Sequence, residues 1–422
     1  MLTPADAELV RRDPALPGLA TVLDPAAVVD RLAAAGDGPP VVAATATYVR
    51  YKPGTSCLVG YELFTEAASV LGYAKAFRPA EPGKLEKARE NEVPDRRVGW
   101  GVTAIGAESV TVAAASSDRD LPAIAALSDP PQRTELLGRL LPDRPDLWGA
   151  EPVALRYKPE RRWVGAIEHE GERVALVKAY RRADVRRARI AQKALAASGV
   201  KPLGWWERRA VLASAWEPGR TVAEALALGA DIDVGALAAS LARLHARRAR
   251  SLPVSTTADV MAAVDATARA VAALSPDLGS RARRVARLVS GELAGGHGVA
   301  TVVHGDFSPD QVVLASGGPV FIDFDEAAIG DPALDLGTFA ATLERRELEG
   351  QLVPGWADEL TAELVVSYRA AGGPPVEGRL AVHRSAALLR LAVAPFRERR
   401  AGWPSATEAI VARAETSARV LA

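Results

Sequence analysis

The sequence predicts an α+β protein in which a β-rich N-terminal half precedes a mainly helical C-terminal half. Three observations favour this class: a β pattern that occurs twice before residue 229, Ala/Leu/Arg-rich helical segments after it, and a strand-rich interruption of those helices at residues 300–324. A length of 422 residues fits two to four domains. The chain is therefore long enough to form more than one hydrophobic core.

The β pattern is an internal repeat. The tetrapeptide Arg-Tyr-Lys-Pro at residues 50–53 recurs at residues 156–159, and Lys75-Ala76-Phe77 is matched by Lys178-Ala179-Tyr180. An alternating apolar segment follows each tetrapeptide, as expected for a strand. We predict a first copy over about 24–128 and a second over about 129–228.

Each copy is predicted to contain a helix, a hairpin, a lysine-bearing strand, a second helix, a second hairpin and a helical exit. The first helices begin at Asp24 and Asp129, each followed by proline, which is favoured in the first turn of a helix. The turn before the lysine strand is tighter in the second copy, at residues 169–172. The later strands are predicted at 102–105, 109–115, 202–206 and 210–215, and the later helices at 183–198 and 234–249.

Composition limits the kinds of partner. Lys+Arg and Asp+Glu each total 52, so the formal net charge is zero and we expect no nucleic-acid partner and no attraction to an anionic membrane. The N-terminus lacks the features of a signal peptide, and no apolar run is long enough to span a bilayer. The single cysteine, Cys57, excludes an internal disulfide, which favours a reducing compartment; the predicted location is the cytoplasm.

The interruption at residues 300–324 carries the candidate chemistry. Two apolar strands flank a Gly-Gly turn, with Asp306 and Gln311 before the turn and Asp323 after it. A strand pair would bring these three side chains to one edge. Phosphoryl transfer needs such a set: a carboxylate that accepts the proton of the attacking hydroxyl, and oxygen ligands for Mg²⁺.

These motifs resemble those of the aminoglycoside phosphotransferase and choline kinase superfamily, which has the bilobal protein-kinase-like fold. The resemblance rests on His304-Gly305-Asp306, on Ile322-Asp323-Phe324-Asp325 and on the segment Gly-Asp-Pro-Ala-Leu-Asp-Leu at 330–336. It implies an ATP-dependent small-molecule kinase in which Asp306 is the catalytic base and Asp323 the principal Mg²⁺ ligand. Gln311 stands where the family has asparagine and still offers an amide oxygen to the metal.

The resemblance also implies supporting roles for four neighbouring residues. His304 is expected to support the catalytic loop. Asp331 and Asp335 are expected to cap a helix and to brace that loop. For Asp325 two interpretations stay open: it joins the metal environment, or it simply ends the strand.

The nucleotide is expected on the second copy, because that copy runs directly into a segment that resembles the family's hinge, including Trp216 and Glu217. Lys178 is then the candidate phosphate lysine, and the turn that carries Arg161 and Arg162 is the flap over the phosphates. The family pairs this lysine with a helix glutamate, but residues 183–198 contain none, so Gln192 or Asp184 is the expected substitute.

The first copy is interpreted as a degenerate small lobe that forms an N-terminal cap. The predicted division is 1–128 for the cap, 129–220 for the nucleotide lobe and 221–422 for the helical lobe that binds the acceptor. A glutamine at the metal position occurs in the maltokinase-like branch of the superfamily, and both maltokinase-like and glucosamine-kinase-like enzymes carry such a cap.

The acceptor is expected to be a hydroxyl of a sugar, an amino sugar or a related natural product. The segment 369–413 is richer in arginine than in acidic residues, which disfavours a polycationic acceptor. Two alternatives stay open: an antibiotic-resistance phosphotransferase of the aminoglycoside type, and a pseudokinase-like scaffold that binds nucleotide without turnover.

Overall fold

A computed structural model describes residues 2–36, 38–79, 83–90, 92–296 and 298–421. These residues form two compact units. The first unit covers the chain up to residue 186 together with 203–216 and 396–401, and the second covers 187–202, 217–395 and the rest of the C-terminus. Across the described residues, no helix has both the length and the apolar content needed to cross a membrane.

The first unit begins with three helices and a five-stranded antiparallel sheet. The helices are α1 (Pro4–Arg12), α2 (Leu19–Leu23) and α3 (Pro25–Ala35), and α4 (Gly83–Glu90) lies between the third and fourth strands. The strands are β1 (Ala43–Lys52), β2 (Ser56–Phe64), β3 (Ser69–Phe77), β4 (Val102–Ile105) and β5 (Val110–Ala114). Their order in the sheet is β1-β2-β3-β5-β4, so the strand that carries Lys75 is central.

The second sheet of this unit has the same order of strands. Two helices, α5 (Pro122–Ser128) and α6 (Pro130–Leu140), precede β6 (Val153–Lys158), β7 (Arg162–His169) and β8 (Glu172–Tyr180), and β9 (Pro202–Trp206) and β10 (Val211–Ala215) follow. Helix α7 (Val185–Ala194) comes between β8 and β9 in the chain, and all but its first two residues belong to the second unit. The sheet order is β6-β7-β8-β10-β9, so the strand that carries Lys178 is again central. The predicted element order of the two copies is therefore confirmed.

Matching side chains hold the first hairpin of each sheet. Asp13 accepts hydrogen bonds from the Tyr51 hydroxyl (2.7 Å) and from the backbone N–H of Gly54 (2.8 Å). Asp118 accepts from the Tyr157 hydroxyl (2.9 Å) and from the backbone N–H of residue 160 (2.8 Å). Both aspartates are buried and lie upstream of the first predicted helices, so the correspondence between the copies begins earlier than Asp24 and Asp129.

The second unit is mainly helical, with five short strands in its described residues and a buried core to which Phe307, Phe321 and Phe339 contribute. Its helices are α8 (Val222–Ala227), α9 (Val234–His245), α10 (Thr257–Leu274), α11 (Pro276–Gly295), α12 (Ala333–Leu348), α13 (Trp356–Ala370), α14 (Glu377–Leu391) and α16 (Trp403–Ala418); the short α15 (Ala394–Arg397) spans the boundary between the units. Its main strands are β11 (Arg220–Thr221), β12 (Thr301–Val303), β13 (Val312–Ala315) and β14 (Gly318–Phe321), and β13 and β14 form a hairpin.

Two predicted helix boundaries differ from the structure, and one short strand was not predicted. Helix α9 ends at His245 rather than at residue 249, because its buried stripe, which ends with Leu244 and His245, is not continued by the arginines that follow. Helix α7 covers 185–194 instead of 183–198. A strand that the sequence did not predict, β15 (Ala328–Gly330), pairs with β12. Three residues are too few to show an alternating pattern, so its pairing depends on the partner strand.

Candidate active site

The two motif segments of the second unit are packed against each other at a glycine. Gly305 has φ +83°, and a Cβ atom at this position would lie 2.2 Å from the carbonyl oxygen of Glu326. Only glycine allows so close an approach of two backbones. Gly305 therefore brings the loop after β12 against the segment that follows β14, and with it Asp306 toward the region of Asp323.

A buried carboxylate fixes the start of this loop. Asp335, in the first turn of α12, is fully buried and accepts hydrogen bonds from the backbone N–H groups of His304 (2.7 Å) and Gly305 (2.9 Å). It also accepts one from Nε2–H of His245 at 3.0 Å. An ionised acceptor with several donors is a strong anchor in a water-free site. Helix α12 therefore fixes the backbone conformation at the start of the loop through Asp335.

His304 links the two segments and is not itself exposed. Its Nε2–H donates to the carbonyl of Ile322 at 2.9 Å, and its Nδ1 faces the backbone N–H of Asp306 at 3.4 Å. Its ring packs against Phe324, with the centroids 5.0 Å apart. Both ring nitrogens of His304 therefore face backbone groups of the two motif segments.

Asp306 lies on the loop with an accessible side chain. Loss of water around it raises the pKa of its carboxyl above the ordinary value; His304 and Arg390 oppose this rise, and the negative charges of Asp323 and Glu326 add to it. Since the side chain still reaches solvent, the desolvation is partial. A carboxylate whose pKa is raised is a better proton acceptor for a hydroxyl than an ordinary one.

The two candidate metal ligands lie next to each other along the backbone ladder. The carbonyl of Gln311 accepts a hydrogen bond from the N–H of Ile322 at 3.0 Å, which places Gln311 beside the residue before Asp323. Asp323 has φ +63° and ψ +57°, a left-handed conformation that is uncommon for a residue with a side chain. Asp325 follows within the short 3₁₀ turn 324–326 and is half-buried.

Asp331 belongs to a second cluster, at the start of α12. It accepts hydrogen bonds from Nε of Arg379, from Nε2 of His383 at 3.2 Å and from the backbone N–H of Ala333 at 2.9 Å. Although burial opposes ionisation, these donors lower the pKa of Asp331 to about 2. Asp331 therefore fastens α12 to α14 and stays negatively charged.

The sequence did not predict a contact with this site for four side chains: His245, Tyr368, Arg379 and His383. Tyr368 lies 2.6 Å from Nδ1 of His245, so α13, α9 and Asp335 form one buried hydrogen-bonded chain. Arg379 and His383 both reach Asp331. Their spacing of four residues, which puts them on one face of α14, is the sequence signal that points to this pair.

The candidate nucleotide residues lie on the second sheet and after it. Lys178 is half-buried near the C-terminal end of β8, opposite Val164 and Leu212 of the neighbouring strands. Arg161 is exposed in the turn before β7 and Arg162 begins β7. The first unit ends at Trp216, whose ring lies 5.1 Å from the guanidinium of Arg173, and Glu217 is the first residue of the following segment of the second unit.

Residues 151–381 match the sequence profile of the family described as APH, the phosphotransferase enzyme family. The chain belongs to this family. It is an ATP-dependent small-molecule phosphotransferase that uses a hydroxyl acceptor, and its α+β architecture is the kinase-like fold of the family. The match begins at residue 151, so the N-terminal sheet β1–β5 precedes it.

Solved structures that this phosphotransferase resembles come from several bacteria. A choline/ethanolamine kinase family protein from Mesorhizobium loti is 16% identical, with a TM-score of 0.49 over 68% of this chain and 94% of its own. Choline kinase LicA from Streptococcus pneumoniae is 14% identical, with a TM-score of 0.46 over 64% and 93%. Aminoglycoside phosphotransferase APH(3'')-Id from Streptomyces rimosus is 20% identical, with a TM-score of 0.43 over 60% and 97%. No curated protein matches the chain significantly.

Proposed function

We propose that this enzyme transfers the γ-phosphoryl group of ATP to a hydroxyl of a sugar or an amino sugar, with Asp306 as the base. The observation that supports the proposal is the close packing of the two motif segments at Gly305 and Glu326, one of which carries Asp306 and the other Asp323. In the proposed reaction the proton of the acceptor hydroxyl passes to the carboxylate of Asp306 as the oxygen attacks phosphorus.

Asp323 and Gln311 are proposed to hold Mg²⁺. Their donors, a carboxylate and an amide oxygen, are of the hard type that Mg²⁺ prefers. Over the described part of the chain, no group of three or more His, Cys, Asp or Glu side chains is arranged to hold a metal. That fits Mg²⁺, which is commonly held by one or two protein oxygens together with substrate phosphates. When bound, it would neutralise phosphate charge.

For the nucleotide, we propose that Lys178 contacts the phosphates and that Arg161 and Arg162 cover them. Trp216 and Glu217 are proposed to lie in the hinge beside the base. Lys178 suits this role because its neighbours Val177 and Ala179 face the buried helices α5 and α6, which leaves the lysine on the opposite face of the sheet. His304, Asp331 and Asp335 support the loop, and Asp325 is proposed to lie near the metal.

A neutral or singly charged acceptor is proposed because the segment 369–413 is richer in arginine than in acidic residues. Arg390 of this segment is one of the charges that lower the pKa of Asp306, whereas Asp323 and Glu326 raise it. We therefore propose a sugar kinase ahead of an antibiotic-resistance enzyme.

We propose that residues 1–128, which include the N-terminal sheet, are a duplicated small lobe that forms a cap. Residues 129–220 would then form the nucleotide lobe and residues 221–422 the helical lobe. The identical strand orders and the matching bonds of Asp13 and Asp118 support the duplication. A cap of this kind, together with Gln311, favours the maltokinase-like or glucosamine-kinase-like branch. Cys57 is buried and free, which suits the cytoplasm.

The test is a phosphorylation screen with Mg²⁺ and ATP over sugars, amino sugars, aminoglycosides and other hydroxylated acceptors, with products detected by mass. We expect phosphorylated product with a sugar or amino sugar, and none after EDTA treatment or in Asp306→Ala and Asp323→Ala. Both variants should remain folded, as a cooperative thermal unfolding transition would show. Full turnover in either variant would reject the assigned roles.

Two further readouts separate the alternative functions. Growth protection against aminoglycosides on expression would favour the resistance enzyme. Nucleotide-dependent thermal stabilisation without ATP consumption on the whole acceptor panel would favour the pseudokinase-like scaffold.

A further inference from the structure

The turn between β6 and β7 contains Glu160 at a position where the N-terminal sheet has glycine. Glu160 has φ +57°, and the equivalent residue between β1 and β2 is Gly54, with φ +59°. Both donate their backbone N–H to the buried aspartate of their own copy. A side chain in this left-handed conformation carries a cost that glycine does not. The turn alone therefore does not require glutamate.

The Glu160 carboxylate binds two cations of the N-terminal sheet. It forms ion pairs with Nζ of Lys75 at 2.5 Å and with the guanidinium of Arg50. All three side chains are less than a quarter exposed, and the pair lowers the pKa of Glu160 although burial opposes this. Partly buried charges that satisfy one another in this way are more strongly coupled than surface pairs.

The same turn is packed against the N-terminal sheet by shape. A Cβ atom on Gly60 of β2 would lie 3.1 Å from Cδ of Pro159, so the missing side chain makes room for the proline. Ion pair and packing together attach the turn to β1, β2 and β3.

Lys75 occupies in β3 the position that Lys178 occupies in β8. The cavity beside Lys75, which Lys84 and Arg119 also line, has a volume of about 80 Å³. That is far below the several hundred Å³ of typical small-molecule pockets, so it does not admit a nucleotide. In the N-terminal sheet, Lys75 pairs with the carboxylate of Glu160. In the proposed nucleotide lobe, the corresponding Lys178 would face a phosphate of the nucleotide.

We propose that Glu160 is a positioning residue that attaches the β6–β7 turn to Lys75 and Arg50 of the N-terminal sheet, so that this sheet sets the position of Arg161 and Arg162 toward the nucleotide phosphates. The inference rests on the proposed function for its effect on the nucleotide. The attachment itself is independent of any substrate. The N-terminal sheet thus acts on the reaction through one turn.

The experiment compares Glu160→Gln, Lys75→Met and the double variant in the full chain. Glu160→Gly adds the residue that the first copy has, which removes the backbone strain together with the carboxylate. The matched control is Glu168→Gln in β7, whose exposed carboxylate pairs with Arg173 at 3.4 Å. Amide hydrogen exchange of residues 153–163 measures the attachment, and the KM for MgATP, kcat and ADP affinity measure its consequence.

We expect faster exchange in the turn and about a fivefold or larger rise in the KM for MgATP in Glu160→Gln and Lys75→Met, with kcat within twofold of wild type. The double variant should be no worse than Glu160→Gln, because Lys75→Met removes one of the two ion pairs that Glu160→Gln removes. Glu160→Gly should show the same loss with an unchanged or higher unfolding temperature, and Glu168→Gln should behave as wild type.

Unchanged exchange and KM in Glu160→Gln, or additive losses in the double variant, would overturn the inference. Failure of the proposed function looks different. Wild-type protein would then phosphorylate no acceptor in the panel, while the exchange measurement would still report whether Glu160 holds the turn.

Discussion

The carboxylate of Asp335 lies 2.7 Å from the backbone nitrogen of His304 and accepts its hydrogen bond in a fully buried setting. The residues are far apart in the sequence, yet this contact fixes the first residue of the loop that carries Asp306. A buried acceptor that serves several donors cannot be removed without leaving those donors unpaired.

Asp335→Ala leaves three N–H groups without an acceptor: the backbone N–H of His304, that of Gly305, and Nε2–H of His245. We expect the free energy of unfolding to fall by about 3 kcal/mol, measured by urea denaturation. A loop shift of this kind should also lower kcat by about 100-fold. The control is Asp277→Ala, an exposed carboxylate in the first turn of α11, which should change stability by less than about 1 kcal/mol.

Gly305→Ala tests the close approach of the two motif segments. The new methyl group would meet the carbonyl of Glu326, and alanine is also disfavoured at φ +83°, so we expect destabilisation of at least about 1–2 kcal/mol and a large loss of kcat. Gly317→Ala, in the turn between β13 and β14, has open space around the added carbon and should be close to neutral. Equal behaviour of the two variants would contradict the role of Gly305.

Substitutions of Asp323 can separate a loss of activity from a loss of stability, because glycine and asparagine also adopt its left-handed backbone conformation. Asp323→Gly relieves the strain at φ +63° and Asp323→Asn tolerates it, so both should unfold within about 1 kcal/mol of wild type. Both lose the carboxylate, and we expect phosphoryl transfer to fall by about 10²–10³-fold or more. Thermal unfolding and turnover measured on the same samples check this, and near-normal turnover in Asp323→Asn would contradict it.

Asp118 predicts a pH dependence of stability. Burial raises the pKa of its carboxyl to about 6, against hydrogen bonds from the Glu160 N–H and the Tyr157 hydroxyl that oppose the rise. The folded protein then binds a proton that the unfolded chain releases near pH 4. Stability therefore falls as pH rises from about 4 to about 6, by up to about 3 kcal/mol. Urea titrations at several pH values should show that Asp118→Asn lacks this part of the pH dependence. If wild type and variant differed in free energy of unfolding by the same amount at pH 4 and at pH 7, the prediction would be excluded.

The repeat and the strand bounds of both sheets could be predicted from the sequence because they are local. Alternating apolar residues around Lys75 and Lys178 specify strands, and prolines after Asp24 and Asp129 specify helix starts. The end of α9 and the strand β15 could not be predicted, since both depend on what the segment packs against. Asp335 was expected to brace the loop. The three N–H groups that donate to it, from His245, His304 and Gly305, could not be predicted, because they belong to separate segments of the chain.

The sequence by itself determined the family motifs, the duplicated β pattern and the residue types available for phosphoryl transfer, because each of these is a matter of spacing along the chain. Only the tertiary structure decided which charges meet. It placed Glu160 of the second copy on Lys75 and Arg50 of the first, and it connected Tyr368, His245 and Asp335 to the loop that carries Asp306. Such contacts join residues that are 85 to 123 positions apart, and electrostatic and hydrogen-bond energies depend on distance and burial in space rather than on order in the chain.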